Sequence, residues 1–420
     1  MTEIMLGILM PLMLLGTGLF FLIYLRGYPF RRPKLLCKQL FATDARQRAA
    51  LLTALAGTLG VGNISGVAAA LTLGGAGALF WMWVCALFSM ILKYAEIIPA
   101  MREKKNGHGG AMYYLPGKAA PVLFALICLA CGFSMGNMTQ VCAATDAVGI
   151  AVPRLSFLVA PAFAILLYAV LRGGKKGIFA FAQRAVPLMT LLYCLLCISL
   201  LFRYRAQIPH ALHRIWEMAW SVRSVGGGLL GSSLVQGLRY GAARGMISNE
   251  AGCGTAPIAH AAADSPPARQ GCLGIVEVFV DTILLCTLTG LSVLVSPVTT
   301  TDSGTKLVIT VFAGCFGGIA SIVLALCLLF FAFATAVCWF YYCAECTYFL
   351  TGSDRFEGWL STLFCLLSLF APLIGETGLF AISDLLVCLM AFLNLPALWR
   401  KRRLIRAETL HQFSTAEQIK

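Results

Sequence analysis

Apolar residues run in stretches of about 20 along almost the whole chain, each long enough to cross a hydrocarbon core of roughly 30 Å. Short polar segments, in which Lys and Arg gather, separate them. The runs predict spans at about Ile4–Tyr24, Ala50–Gly74, Leu79–Met101, Pro121–Ala147, Leu155–Leu171, Phe179–Phe202, a half-helix near Ser232–Met246, Val276–Val295, Ile319–Tyr348, Trp359–Leu373 and Leu379–Leu398. An amphipathic stretch with Trp216 and Trp220 reads as an interfacial or half-membrane helix, and Gly107–Gly117, too polar and short to span, as a cytoplasmic loop or interfacial helix. The pattern is that of an all-α polytopic membrane protein with about eleven transmembrane helices.

One span is interrupted. Between Ala50 and Lys93 the apolar helix meets Gly57, Gly60, Gly62 and Asn63, and each glycine lowers helix propensity by roughly 1 kcal/mol. Unwound backbone inside a bilayer survives only where protein buries it or a water-filled cavity meets it. Its free amides and carbonyls can then hold a small zwitterion and a bare cation. A kink for close helix packing is the plainer alternative. The run Gly226–Gly231 (GGGLLG) is a second interruption, and paired breaks at corresponding positions of two halves point to an inverted repeat with its site near the midplane.

Charge orients the chain. Arg26, Arg31, Arg32, Lys34 and Lys38, then Arg102, Lys104 and Lys105, then Arg172, Lys175 and Lys176, and finally Arg400–Arg403 and Arg406 fall on one side if the N-terminus is outside. By the positive-inside rule that side is the cytoplasm, with the N-terminus periplasmic and the C-terminus cytoplasmic. Arg203 and Arg205 go against the rule.

Composition narrows the class further. Of the 420 residues 59% are hydrophobic and 12% charged, against about 25% charged in soluble proteins. The net charge of +14 is explained by helix-end Lys and Arg and needs no nucleic acid, since aromatics are not interleaved on a basic face. The 17 cysteines include Cys128/Cys131, Cys194/Cys197 and Cys343/Cys346, all inside apolar helices, where a thiol acts as a small hydrophobe. Five scattered histidines form no nucleophile–base pair, so the chain is not read as an enzyme. Nothing in it points to an obligatory protein partner.

The run GTLGVGNISGVAAALTLGGAGALFWMW, the loop GGAMYYL, GNMTQ at Gly136–Gln140, RYGAARGMISNEAGCGTAPIAHAAA, VEVFVDT at Val276–Thr282 and FAFATAVCWFYY at Phe331–Tyr342 resemble the alanine or glycine:cation symporter family. The resemblance implies a LeuT-type 5+5 inverted repeat with one extra N-terminal helix. It implies one transporter domain over 1–420: extra helix 4–24, first repeat 50–205, second repeat 207–398, cytoplasmic tail 399–420. The implied activity is import of a small neutral amino acid, alanine or glycine, with co-transported sodium across a bacterial cytoplasmic membrane. Proton coupling, a glutamine substrate or a transporter-like sensor remain as alternatives.

By the same resemblance Gly60, Val61, Gly62 and Asn63 meet the substrate carboxylate, and Gly226, Gly227, Gly228 and Gly231 form the partner break. Gln140, an amide in an apolar span that must find a partner, faces either the pocket or another helix. Trp339 either walls the pocket or packs. The backbone of Ala56, Leu59 and Phe331 and the Thr335 hydroxyl are the implied sodium ligands. This chain has Ala334 where the family usually has Ser or Thr, so one hydroxyl ligand is missing; Ser89 and Ala111, where the family usually has Gly and Pro, are milder departures. Arg239, Arg244 and Glu250 read as a cytoplasmic gate network. Of the intramembrane carboxylates Glu96, Glu277, Asp281, Glu345 and Asp384, functional candidates by default, Asp281 is the deepest; Glu96 and Glu345 suit structural ion pairs.

Overall fold

The computed structural model describes residues 9–31, 43–221 and 233–418. Those residues are mostly helical, and among them eight helices are long and apolar enough to cross a membrane, or nine if the bent pair Ala45–Thr58 and Val61–Gly74 is one span. Met10–Tyr24 and Gly304–Phe316 are shorter apolar helices. Burial separates inner from outer helices. In Gly77–Arg102 and Gly318–Thr351 67% of the apolar window is buried, against 28% in Gly174–Arg203, whose exposed Leu188, Leu191 and Leu195 are left to face lipid.

The first break forms where the sequence loses helix formers. Asp44 caps Ala45–Thr58 in a reciprocal box with Gln47, a pairing that satisfies two orphan amides. The helix stops at Leu59; Gly60 is extended, Val61–Asn63 makes one tight turn, and Ser65–Gly74 resumes at a bend of 60°.

A second break lies in described residues and carries few glycines. Ser233–Asn249 ends at Glu250, whose φ of 52° is in the left-handed region, and a short helix, Ala256–His260, restarts the chain. The Asn249 side chain accepts from Ala251 N at 3.1 Å, which competes with helix continuation as Asn side chains do. The GGGLLG run, Gly226–Gly231, lies outside the described residues.

The two broken spans run antiparallel. Gly62 faces Ser248, while at the other end Gly74 abuts Gln236 and Tyr240. Small residues permit this: a Cβ on Gly241 would sit 2.3 Å from the Ala78 carbonyl oxygen. Gly237, Gly241 and Gly245 pass Gly77, Ala78 and Met82 in that order. Ser233–Asn249 therefore starts at the end of the bundle where Gly77–Arg102 starts, opposite to Arg102.

Beyond Leu398 the segment expected as a cytoplasmic tail continues the helix Glu376–Gln418, with Thr409 bonded to Tyr94 and Lys401 paired with Glu103. Two sequence expectations change here. The segment around Gly107–Gly117 folds inward, with Tyr114 buried and donating to Asn394 at 2.6 Å. The gate network expected at the basic end divides: Arg239 and Arg244 lie before the second break, toward the opposite end, because the helix carrying them begins there.

Candidate functional site

A cavity of about 40 Å³ lies between the two breaks. Gly60, Val61 and Gly62 line it from the first, Ser248 and Glu250 from the second. Gln140, Arg244 and Asp384 also line it.

Two wide π-helical turns shape the flanking helices. Gly132–Met138 precedes Gln140, and Phe279–Cys286 contains Asp281; such turns occur often at functional sites. The Gln140 amide donates to the Met135 carbonyl at 3.1 Å, and its Oε1 accepts from Val61 N at 3.4 Å. Gln140 thus bridges its own π turn to the first break. Gly60 must be small at this point, because a Cβ there would lie 3.0 Å from both Gln140 Oε1 and Thr335 Oγ1.

The proposed sodium ligands meet in part. The Thr335 hydroxyl donates to the Ala56 carbonyl at 2.9 Å, at a helix C-terminus whose dipole favours a cation. Ala334, Phe331 and Leu59 are buried in the core.

Asn63 turns away from the cavity. Its amide donates to Asp281 Oδ1 at 2.6 Å and to the Asp281 carbonyl at 3.0 Å. Ser248 and Thr282 hydroxyls donate to Asp281 Oδ2 at 3.1 and 2.7 Å. Asp281 therefore ties the first break to the second rather than lining the cavity. Trp339 does not line it either; the indole packs over Gly136, where a Cβ would sit 2.3 Å from it, and edge-on to Tyr342. Arg239 lies over Tyr240, 5.3 Å from the ring centre.

Arg244 and Asp384 approach to 3.9 Å, with Phe380 also under the guanidinium at 5.9 Å. This pair and Ser383 line the cavity, and Arg244 lies on the helix that starts at the end of the bundle opposite to Arg102. Asp384 and Glu250 are thus cavity residues that the sequence reading did not assign to the pocket. An acid in an otherwise apolar helix and a Glu between Asn and Gly were the signals available.

Below the second break lies a buried polar network. Lys93 Nζ reaches Glu277 Oε1 at 3.0 Å and donates to the Asn249 carbonyl at 2.6 Å. His260 lies 3.2 Å from Glu277 Oε2 and 2.8 Å from the Gln270 amide. Glu96 Oε2 accepts from Gly254 N and from Asn394 at 3.1 and 2.9 Å. Glu345 pairs with Lys175 at 2.7 Å and with His108 at 2.8 Å, the structural ion pair expected of it. Glu96 is held by amides instead.

The model of the sodium:alanine symporter family matches residues 1–418. The chain is 35% identical over 374 residues to the sodium/alanine symporter AgcS of Methanococcus maripaludis, covering 83% of this chain and 82% of that one. It is 31% identical over 365 residues to the probable sodium/glutamine symporter GlnT of Bacillus subtilis, covering 83% and 75%. Among solved structures, a Na+-coupled sialic acid symporter in a substrate-bound outward-open state matches with a TM-score of 0.57 at 12% identity, over 90% of this chain and 84% of that one. The fold is that of membrane transporters.

Proposed function

Because the chain belongs to the sodium:alanine symporter family, a family of multi-pass membrane transporters, we propose that it imports alanine or glycine with sodium by alternating access, through the cavity between its two breaks. The observation that carries this reading is that cavity: one wall carries the unwound turn Gly60–Gly62, the other the helix end at Ser248–Glu250, and the two half-helix ends face one another across it. The turn at Gly60–Gly62, whose Val61 amide makes only a 3.4 Å bond to Gln140 Oε1, suits a carboxylate, as helix N-termini do. The small volume favours a small side chain. Glutamine, the substrate in GlnT's printed name, is the second reading.

In this proposal eleven spans arise by adding Met10–Tyr24 and the second broken span to the nine, arranged as two inverted sets of five after one extra helix. The antiparallel run of the breaks supports it. With the basic segments inside, the N-terminus is periplasmic and the C-terminus cytoplasmic. The Arg244–Asp384 pair is then an outer gate, which must part for substrate to reach the cavity from the periplasm.

Purified protein in proteoliposomes is expected to accumulate radiolabelled alanine and glycine when sodium is high outside, and not in an imposed proton gradient alone. Glutamine accumulation without alanine would favour the second reading, and proton-driven uptake without sodium would refute sodium coupling. Ala334→Ser restores a hydroxyl beside the Thr335–Ala56 contact. One charge-assisted contact is worth about 1.5–3 kcal/mol, so the sodium concentration for half-maximal uptake is expected to fall by roughly tenfold or more. Thr335→Ala is expected to raise it. Unchanged sodium dependence in both variants would exclude this ion site.

A further inference from the structure

Glu250 is the acid on the cavity wall that makes no direct ion-pair contact among the described residues. Two carboxylates, Glu250 and Asp384, line the cavity with one cation, Arg244, and Arg244 is engaged by Asp384 at 3.9 Å. The nearest buried lysine is also committed: Lys93 contacts Glu277 and the Asn249 carbonyl. Glu250 is 1% exposed. Its Oε2 accepts from the Thr255 hydroxyl at 2.7 Å, which fixes the plane of the carboxylate, while Oε1 is buried with no hydrogen-bond partner among the described residues.

A buried carboxylate oxygen left unpaired costs several kcal/mol. The backbone adds to the cost, since Glu250 holds φ at 52°, a region that costs a non-glycine residue on the order of 1–2 kcal/mol. A fold that keeps both at the wall of a cavity has a use for that oxygen when the cavity is filled. Strained backbone persists at ligand clamps for this reason.

We propose that Glu250 Oε1 accepts the primary ammonium group of the carried amino acid. The ligand's two charges then meet complementary groups on opposite walls: the carboxylate faces the amides of the first break, and the ammonium faces the carboxylate at the second. Thr255 acts as a positioning residue, holding Oε2 so that Oε1 stays turned to the cavity. The consequence is specificity for the amine: a solute that replaces it by a hydroxyl leaves Oε1 buried and unpaired. This inference rests on the cavity being the amino-acid site.

The test compares alanine with lactate, its hydroxyl analogue, for binding to purified full-length protein in saturating sodium. Wild type is expected to prefer alanine by at least about 100-fold, the discrimination that follows when a buried polar group loses its partner. Glu250→Gln is expected to weaken alanine by about 100-fold and to narrow its preference over lactate to less than about tenfold. Glu250→Asp should retain an intermediate preference. Thr255→Val keeps the acid but frees its orientation, and should weaken alanine several-fold with lactate unchanged; it serves as the readout if Glu250→Gln is not monodisperse on size-exclusion chromatography.

An undiminished alanine-over-lactate ratio in Glu250→Gln, or in Thr255→Val where only that variant folds, overturns the proposal. So does a Glu250→Gln effect confined to the sodium requirement or to the pH profile, which assigns the oxygen to sodium or to a proton. Wild type that binds neither alanine nor any other amino acid overturns instead the reading of the cavity. Wild type that binds alanine while Glu250→Gln keeps its ratio overturns this inference alone.

Discussion

Gly60→Ala is expected to raise the alanine concentration needed for half-maximal uptake, and the sodium concentration with it, whereas Gly62→Ala is expected to leave both nearly unchanged. The difference follows from what a methyl group meets at each position. At Gly60 it lies 3.0 Å from Gln140 Oε1 and 3.0 Å from Thr335 Oγ1, and at Gly62 nothing is closer than the Ser248 Cα at 3.9 Å. The φ of −93° at Gly60 is open to any residue, so the demand is for space. Overpacking of this kind costs about 1–3 kcal/mol, which corresponds to roughly 5- to 150-fold in affinity. Gly60→Val should abolish uptake. Because the methyl group pushes on both the amide that bridges to the first break and the hydroxyl bonded to Ala56, it should disturb substrate and sodium together. Equal uptake by Gly60→Ala and wild type would remove the first break from the transport site.

The same pair of glycines shows how much of the candidate site is legible in the sequence. Helix propensity marks where a span weakens, so the interruption at Gly57–Asn63 is readable as a break. Which glycine faces a crowded wall is not, because the wall is built from Gln140 and Thr335, 80 and 275 residues away in the chain. Asn63 reads as a pocket residue because it sits in the break; in the fold its amide is taken up by Asp281, and the two hold the breaks together.

The helix end at Asn249 and Glu250 is marked by a capping Asn and an acid before Gly252 rather than by a glycine run; the run Gly226–Gly231 lies outside the described residues. Helix length is similarly hidden. Apolar content predicts where a helix leaves the membrane, and it does so at Leu398; whether the basic segment beyond it stays helical depends on contacts such as Tyr94 with Thr409, which composition does not encode. Trp339 is the bland outcome: an aromatic in an apolar helix, buried over Gly136.

Lys93 lies inside the Leu79–Met101 span, and its substitution is expected to give the largest loss of stability in the molecule. The side chain is fully buried, as is Glu277, and their contact at 3.0 Å leaves neither charge with access to water. Lys93→Met removes the cation and strands the carboxylate. Breaking a buried pair from one side costs about 3–5 kcal/mol, enough to deplete folded protein from the membrane, and Glu277→Gln should cost less because Lys93 keeps the Asn249 carbonyl. The double substitution Lys93→Met with Glu277→Gln carries no unpaired charge and should recover much of the loss in a thermal-melt or denaturant series. What it should not recover is alanine binding. Lys93 also holds the carbonyl of Asn249, one residue before Glu250, at 2.6 Å, so without it the second break loses the contact that sets where Glu250 stands. A double variant as unstable as Lys93→Met alone would show that the pair's charge is not what holds the helices. A double variant that binds alanine normally would show that the network below the break is structural and independent of the cavity above it.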